Sequence, residues 1–442
     1  MRVVHLGLGN FHRAHQAVYT ADAGDGWEIT GVAHRRRDLV DTLRAQGGRY
    51  TVVEIGGDNG VRVRPVDVVT DGLVLAGERD AVLARLADRE TAVVTLTVTE
   101  KAYLPGDDGR PGDVVVALAD ALRVRARTHA APVTLVSCDN LAGNGEVLAR
   151  AVRTAAGDDT ALHDYLDAAV GFPSTMVDRM VPATTAETVA LARDAGFADA
   201  VPVPAEPFSQ WVIAPDFRGP RPAWERAGAV VTDDVAAWET VKVRLLNGVH
   251  SLLAHLGLLR GDRLIAEAHR ADTVRAAADA LGDEYLPTLR VPAGLDVADY
   301  RATLHRRFAN AALGHRCAQV ATDGSVKLRQ RVPAAVTHHL AHGHTPPVLA
   351  LVVAAWLEGS SNPDAVVPAE RPHDPAAARL ALLGAAHPAA AELARAVLVD
   401  AALLGDELAA ATPFVDRVGE TLDLLRRHGP DAAATEAVAA SH

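Results

Sequence analysis

The sequence predicts an α/β chain, a doubly wound parallel sheet domain followed by a mostly α-helical second domain. Three observations carry this reading. Strand and helix signals alternate through the first 140 residues, and the runs 92–98 (AVVTLTV) and 133–138 (VTLVSC) are β-branched stretches of the kind parallel sheets bury on both faces. A glycine turn, Gly7-Leu8-Gly9, directly follows the first apolar strand. From Asp234 onward the chain becomes rich in Ala, Leu and Arg, with Leu245, Leu246, Val249 and Leu253 at helical spacings. At 442 residues the chain also exceeds what one hydrophobic core usually supports. The expected domains are 1–230 and 231–442, with Gly219-Pro220-Arg221-Pro222 as the linker signal before the boundary.

The elements follow in order. Residues 3–7 form a strand that enters the glycine turn, and a helix is expected over 14–21. Residues 28–33 read as the next strand and 38–45 as a helix. Strands at 50–54 and 61–69, a helix at 81–87, the strand 92–98, a helix at 113–127 and the strand 133–138 complete the alternation. The helical style continues through 376–404, broken near Gly384 and Pro388. The tail from Pro430 is small and polar and is expected to fray.

Composition excludes several classes. A hydrophobic fraction of 49% with 23% charged residues is that of a globular chain, not a disordered one. Acidic residues outnumber basic ones by 56 to 44, a net charge of −12, which argues against a nucleic-acid partner. The cysteines, Cys138 and Cys317, form no CxxC motif and suggest no disulfide framework. The N-terminus lacks the pattern of a signal peptide. The most apolar later run, 348–357, is about half what a bilayer requires. A cytoplasmic protein without membrane partners is expected.

The glycine turn has a chemical reading. Gly7 and Gly9 supply a tight bend and a close backbone approach of the kind a dinucleotide pyrophosphate needs. Asn10 and Phe11 open the following helix, whose free N–H groups favour an anion, and Arg13 could add charge. His12 stands where GxGxxG has its third glycine. The acid that usually holds the adenosine ribose is absent, for the second strand ends in Ala33-His34-Arg35-Arg36-Arg37. Arginines there suit a 2′-phosphate as well as a solvated helix start, so NADP is not excluded beside NAD.

Six segments go further: GLGNFHRAHQAVYT (7–20), TLTVTEKAY (95–103), SCDNLAGNG (137–145), FPSTMVDRMVP (172–182), PFSQWVI (207–213) and KVRLLNGVHS (242–251). Through them the chain resembles the polyol-specific long-chain dehydrogenase/reductase family, which contains mannitol 2-dehydrogenase and the fructuronate and tagaturonate reductases. The segments run through both expected domains. On an α-helix at about 100° per residue, Lys242, Asn247 and His250 fall within an arc of roughly 140°, and Glu239 lies inside it. Burying such a polar set costs several kcal/mol per group unless each is paired, so it needs a reason.

The resemblance implies reversible hydride transfer between NAD(H) and a secondary alcohol or ketone, in a site lying in the cleft between the domains. Lys242 would be the general base, made possible by desolvation or a neighbouring cation. Asn247 and Asn140 would donate N–H groups to the substrate oxygen, with Asn144 as the competing candidate from the same loop as Asn140. His250 would orient the hydroxyl and Glu239 would relay the proton. Thr99, Glu100 and Lys101 would line the nicotinamide side, with Arg35 beside the adenosine. Asp178, Arg316 and Lys327 would touch substrate, although each could instead be an ordinary surface or ion-paired charge. No metal is expected, since Cys138 stands in no ligand cluster and His338, His339, His342 and His344 read as a polar helix end. The expected substrate is a small polyol, ketose or uronate, with mannitol and fructose placed ahead of mannonate and fructuronate. A monomer is implied. A non-catalytic NAD sensor and a polyol-phosphate dehydrogenase are the competing classes.

Overall fold

The computed structural model describes residues 1–56, 60–99, 102–104 and 111–442. They form two compact units, Met1–Trp238 and Glu239–His442. The chain does not leave the first unit at Gly219-Pro220. Trp224 lies further on and is fully buried, its indole Nε1 donating to Thr20 Oγ at 3.0 Å. Its ring packs on Trp211 with centroids 4.5 Å apart.

The first unit is built on a six-stranded parallel sheet. Its strands are β1 (Arg2–Leu6), β2 (Glu28–Ala33), β5 (Val69–Val74), β6 (Thr91–Leu96), β7 (Val133–Ser137) and β8 (Val170–Gly171), in the spatial order β5-β2-β1-β6-β7-β8. The chain winds outward from β1 to β2 and β5, then returns to β6 on the other side of β1. The order therefore reverses between β1 and β6, and the carboxyl ends of those strands border the crevice where open α/β sheets hold ligands. Two small sheets flank it: β10-β3-β4, from β3 (Tyr50–Ile55), β4 (Val61–Val66) and β10 (Val203–Ala205), and β12-β11-β9, from β9 (Thr175–Asp178), β11 (Gln210–Ile213) and β12 (Val230–Val231).

Two expected elements differ. The single strand at 61–69 is two strands in different sheets. β4 pairs antiparallel with β3, whereas β5 starts at Val69 and joins the main sheet. The polar centre of β5, Thr70-Asp71-Gly72, hides it from a hydrophobicity reading. The helix expected at 14–21 is two helices, Asn10–Ala14 and Gln16–Ala23, meeting at His15 with φ −123° and ψ −88°. The break aims the His15 ring at Phe11 on one side and Trp211 on the other, and its Nε2 bonds the Gln210 carbonyl at 3.0 Å.

The second unit is helical. Its central helix, Pro347–Ser361, is buried almost throughout and packs against Val249–Arg260 and Thr412–His428. The tail does not fray. Pro430–Ala440 is a helix whose Ala433, Ala434 and Ala437 are fully buried, and it packs on Asp272–Tyr285. Small residues allow that close approach, so the composition that suggests disorder instead makes a packing face. No helix among the described residues is long and apolar enough to cross a membrane.

Candidate active site

The crevice at the ends of β1 and β6 is framed by backbone. Gly7 has φ +103°, and a Cβ there would lie 2.0 Å from the Thr97 carbonyl oxygen, so only glycine fits. The Gly7 and Leu8 N–H groups donate to the Val32 carbonyl at 2.9 and 3.0 Å. Thr97 Oγ donates to the Gly7 carbonyl at 3.0 Å, while His5 bridges Thr95 and Thr97 through its two ring nitrogens at 2.8 and 2.9 Å. Burial pushes His5 down to about 3, so the bridge is a neutral ring. These contacts pin the turn against the neighbouring strand.

A cavity of about 730 Å³ opens there, lined by Gly7, Leu8, Arg35, Thr97, Thr99 and Asp113 among others. Of the three arginines after β2, Arg36 donates to Asp38 at 2.9 Å and Arg37 reaches Glu78 at 4.0 Å. Arg35 lines the cavity and makes no ion pair among the described residues. Asn10 and Arg13 face inward. Arg13 is 2% exposed and donates to the Val201 carbonyl and to Asn10 Oδ1, while Asn10 donates to Pro182 O and Thr184 Oγ. Both tie the glycine turn to the 182–201 segment. Phe11 is half-buried and stacks on His15 at 5.1 Å. Glu100 and Lys101 lie outside the described residues.

The SCDN loop follows β7. Asp139, which sequence reading passed over, joins this loop to the one after β6. Its carboxylate accepts the Val98 and Thr99 N–H groups at 3.0 and 2.8 Å and the Tyr103 hydroxyl at 2.5 Å. Burial raises its pKa above the usual carboxylate value. The strained Thr99, at φ +74°, is held by this contact. The adjacency of Asp139 to Asn140 was the available signal. The structure separates the two asparagines that sequence left open. Asn144 is 1% exposed, its amide donating to the Asp139 carbonyl and to Thr175, and its Oδ1 accepting the Thr175 N–H at 2.8 Å. Asn140 is exposed at the tip of the loop. Asp178 ends β9 and is 6% exposed. Its neighbour Arg179 pairs with Glu54 at 2.7 Å.

In the second unit, Lys242–Gly248 is not α-helical but a π turn with i→i+5 hydrogen bonding. In that wider register residues five apart are about one turn apart, which brings Asn247 closer to the face of Lys242 than an α-helix would. Lys242 is 7% exposed and Asn247 half-buried. Glu239 lies in the helix Val235–Val241 just before, half-buried. Gly248 is required, because a Cβ there would fall 2.6 Å from the Tyr285 ring.

His250 is 9% exposed, its ring against Phe308 at 5.0 Å and edge-on to His315 at 4.9 Å. Burial lowers its pKa well below the ordinary value, and His315, Arg307, Arg331 and Lys327 lower it further. Burial also brings His315 down to about 4. Lys327 donates to the Val320 carbonyl at 3.0 Å, with its pKa lowered by burial and by Arg331. Lys242, Asn247, His250 and Lys327 thus belong to one neighbourhood of this unit, with His315 and Arg331 as members the sequence did not disclose. Arg316 turns away. Its Nη2 donates to both carboxylate oxygens of Glu370 at 2.7 Å on the surface. His338 and His339 close the helix Pro333–Ala341, and His339 bonds the Glu284 carbonyl at 2.6 Å. Among the described residues no three His, Cys, Asp or Glu side chains form a metal-binding group.

Comparison with known proteins shows which family the chain belongs to. Residues 1–226 match the mannitol dehydrogenase Rossmann domain and residues 234–426 the mannitol dehydrogenase C-terminal domain. The chain is 35% identical to D-mannonate oxidoreductase of Escherichia coli (strain K12), covering 99% of this chain and 95% of that protein. It is 34% identical to mannitol 2-dehydrogenase of Cereibacter sphaeroides, covering 84% and 83%. The Pseudomonas fluorescens mannitol 2-dehydrogenase, solved with NAD and D-mannitol, superposes with a TM-score of 0.82 at 32% identity, covering 99% of this chain and 94% of that one. By these matches over both halves of its length, the chain belongs to the mannitol dehydrogenase family.

Proposed function

We propose that this family member is a metal-independent, NAD-dependent dehydrogenase that interconverts a polyol and a ketose of the D-mannitol/D-fructose type, with Lys242 as general acid/base. The observation that carries the reading is Lys242 itself, a buried amine opening a π turn with Asn247 one turn above it. π turns of this kind are frequent at functional sites.

The first unit offers what a dinucleotide requires. Gly7, Leu8 and the 97–99 segment border the cavity at the strand switch, and Arg35 at its wall would read the adenosine ribose. Bound NAD+ supplies the hydride acceptor. The residues of the chain handle the oxygen. In oxidation the hydroxyl proton passes to the neutral Lys242 amine as the carbinol C–H pair departs as hydride, leaving a carbonyl. In reduction the ammonium returns that proton. The Asn247 and Asn140 amides donate to the oxygen as alkoxide character develops. A neutral His250 orients the hydroxyl, Glu239 carries the proton onward, and Asp178 and Lys327 contact the remaining hydroxyls.

One observation favours a keto-uronate as a second reading. Beside burial, the groups that act most on His250 are His315, Arg307, Arg331 and Lys327, three of them cations. Such a neighbourhood suits a substrate that brings its own negative charge. NADH consumption with fructose, fructuronate and tagaturonate decides between the two. Turnover of fructose supports the first, and turnover of a keto-uronate alone supports the second. NADH binding with no turnover of any of the three would leave a non-catalytic sensor.

A further inference from the structure

Arg331 ends the helix Gly324–Arg331, four residues beyond Lys327. Burial brings its guanidinium down to about 10, and the neighbour that pulls it back is the Tyr285 hydroxyl rather than a carboxylate. Among the described residues it has no acidic partner. Arg331 is half-buried, and a partly desolvated guanidinium without a carboxylate partner is costly, so its position calls for a compensating role.

Its contacts indicate the role. Nη1 donates to the main-chain carbonyl of Asn247 at 2.8 Å and lies 2.5 Å from Ser251 Oγ. Ser251 Oγ donates to that same carbonyl at 3.2 Å. The three groups close a triangle where the π turn passes into the α-helix Val249–Arg260. Tyr285 braces the other side, with its ring against Gly248 and its hydroxyl donating to the Arg331 carbonyl at 3.1 Å. A charge-assisted bond to a carbonyl is stronger than a neutral one. It therefore fixes the backbone of Asn247 where the wide register could relax into an ordinary α turn and swing the amide away from Lys242.

We propose that Arg331 is a positioning residue that locks the π turn through the Asn247 carbonyl and holds the Asn247 amide over Lys242. This rests on the reading of Lys242 and Asn247 given above. The test is steady-state kinetics of the full chain with NADH and whichever of fructose or fructuronate the wild type reduces. Arg331→Met lowers kcat tenfold to a hundredfold, the penalty of a small misplacement, with KM for NADH unchanged. Arg331→Lys, which can still donate to the carbonyl, recovers most of the loss. Ser251→Ala loses about twofold to fivefold. Arg331→Met with kcat within twofold of wild type, while Asn247→Ala is crippled, would overturn the proposal and leave the site reading standing. A fully active Asn247→Ala would instead remove the site reading. If Arg331→Met fails to fold, Arg331→Gln decides: a tenfold loss in kcat at constant KM supports the lock, and a rise in KM at constant kcat refutes it.

Discussion

Arg125 and Arg179 of the sheet unit and Arg331 of the helical unit are held in different ways. In the sheet unit Arg125 is fully buried and uses its whole fork, with Nη1 on the Leu86 and Asp88 carbonyls, Nη2 on those of Ala131 and Pro132, and Nε on the Tyr165 hydroxyl. Arg179 similarly joins Glu54, Ala14 and Glu206. In the helical unit Arg331 uses Nη1 alone, and Lys327 reaches a single carbonyl. Saturated cations hold a shape. Cations left under-satisfied beside neutral histidines raise the local potential and keep donors in reserve, which is how sites of chemistry differ from frames. The sheet unit is thus read as a rigid holder and the helical unit as the reactive half.

That contrast can be broken most directly at Lys242. Lys242→Ala is expected to lose several orders of magnitude in turnover while NADH binding, followed by fluorescence titration, stays intact. Near-normal turnover at neutral pH would take the reactive half elsewhere. Next come the two proposed oxygen donors, Asn247 and Asn140. Asn247→Ala and Asn140→Ala should each lose roughly 10²–10³-fold in kcat. A large loss for the first and none for the second would confine the chemistry to the helical unit. Asp139→Asn probes the frame. With its grip on the 98–99 backbone weakened, KM for NADH should rise about tenfold and kcat should hold, and the reverse pattern would assign the loop to the reaction.

The last effect is on stability against pH rather than on turnover. His5 and His255 are held near 3, with burial the main cause, so the unfolded chain binds more protons than the folded one between about 3 and 6.5. Stability present above 6.5 is lost as pH falls through that window, by roughly 1.4 kcal/mol per pH unit for each such histidine. Glu284 acts in the other direction. Its carboxylate accepts the Val348 and Leu349 N–H groups at 2.7 and 2.8 Å, yet burial raises its pKa to about 7. It favours the folded state fully below 4.5 and loses that contribution as pH rises to 7. Thermal melts of wild type and Glu284→Gln should therefore converge at acid pH and separate towards neutrality. Parallel curves would remove Glu284 from the account.

Much of the fold could be read in advance because parallel strands announce themselves. β2, β6 and β7 are apolar runs bounded by turn residues, and Lys242, Asn247 and His250 stand in one short segment. What escaped was set by tertiary context. The polar middle of β5 concealed a sheet strand, and alanines that suggest a loose tail instead fill a helical interface at Ala433 and Ala437. The π register is invisible to a periodicity of 100° per residue. Arg316 and Arg331 are alike as letters, and only packing sends one to Glu370 at the surface and the other to a main-chain oxygen inside.

The wide turn at 242–248 also bears on how this protein could be engineered. Thermal robustness is often sought by regularising helices, and one residue removed from this stretch would restore an ideal spiral with a full ladder of short-range bonds. Such a deletion would tighten the scaffold and slide the amide off the amine, so under the proposed roles of Lys242 and Asn247 the irregularity is a fault that catalysis requires to stay unrepaired.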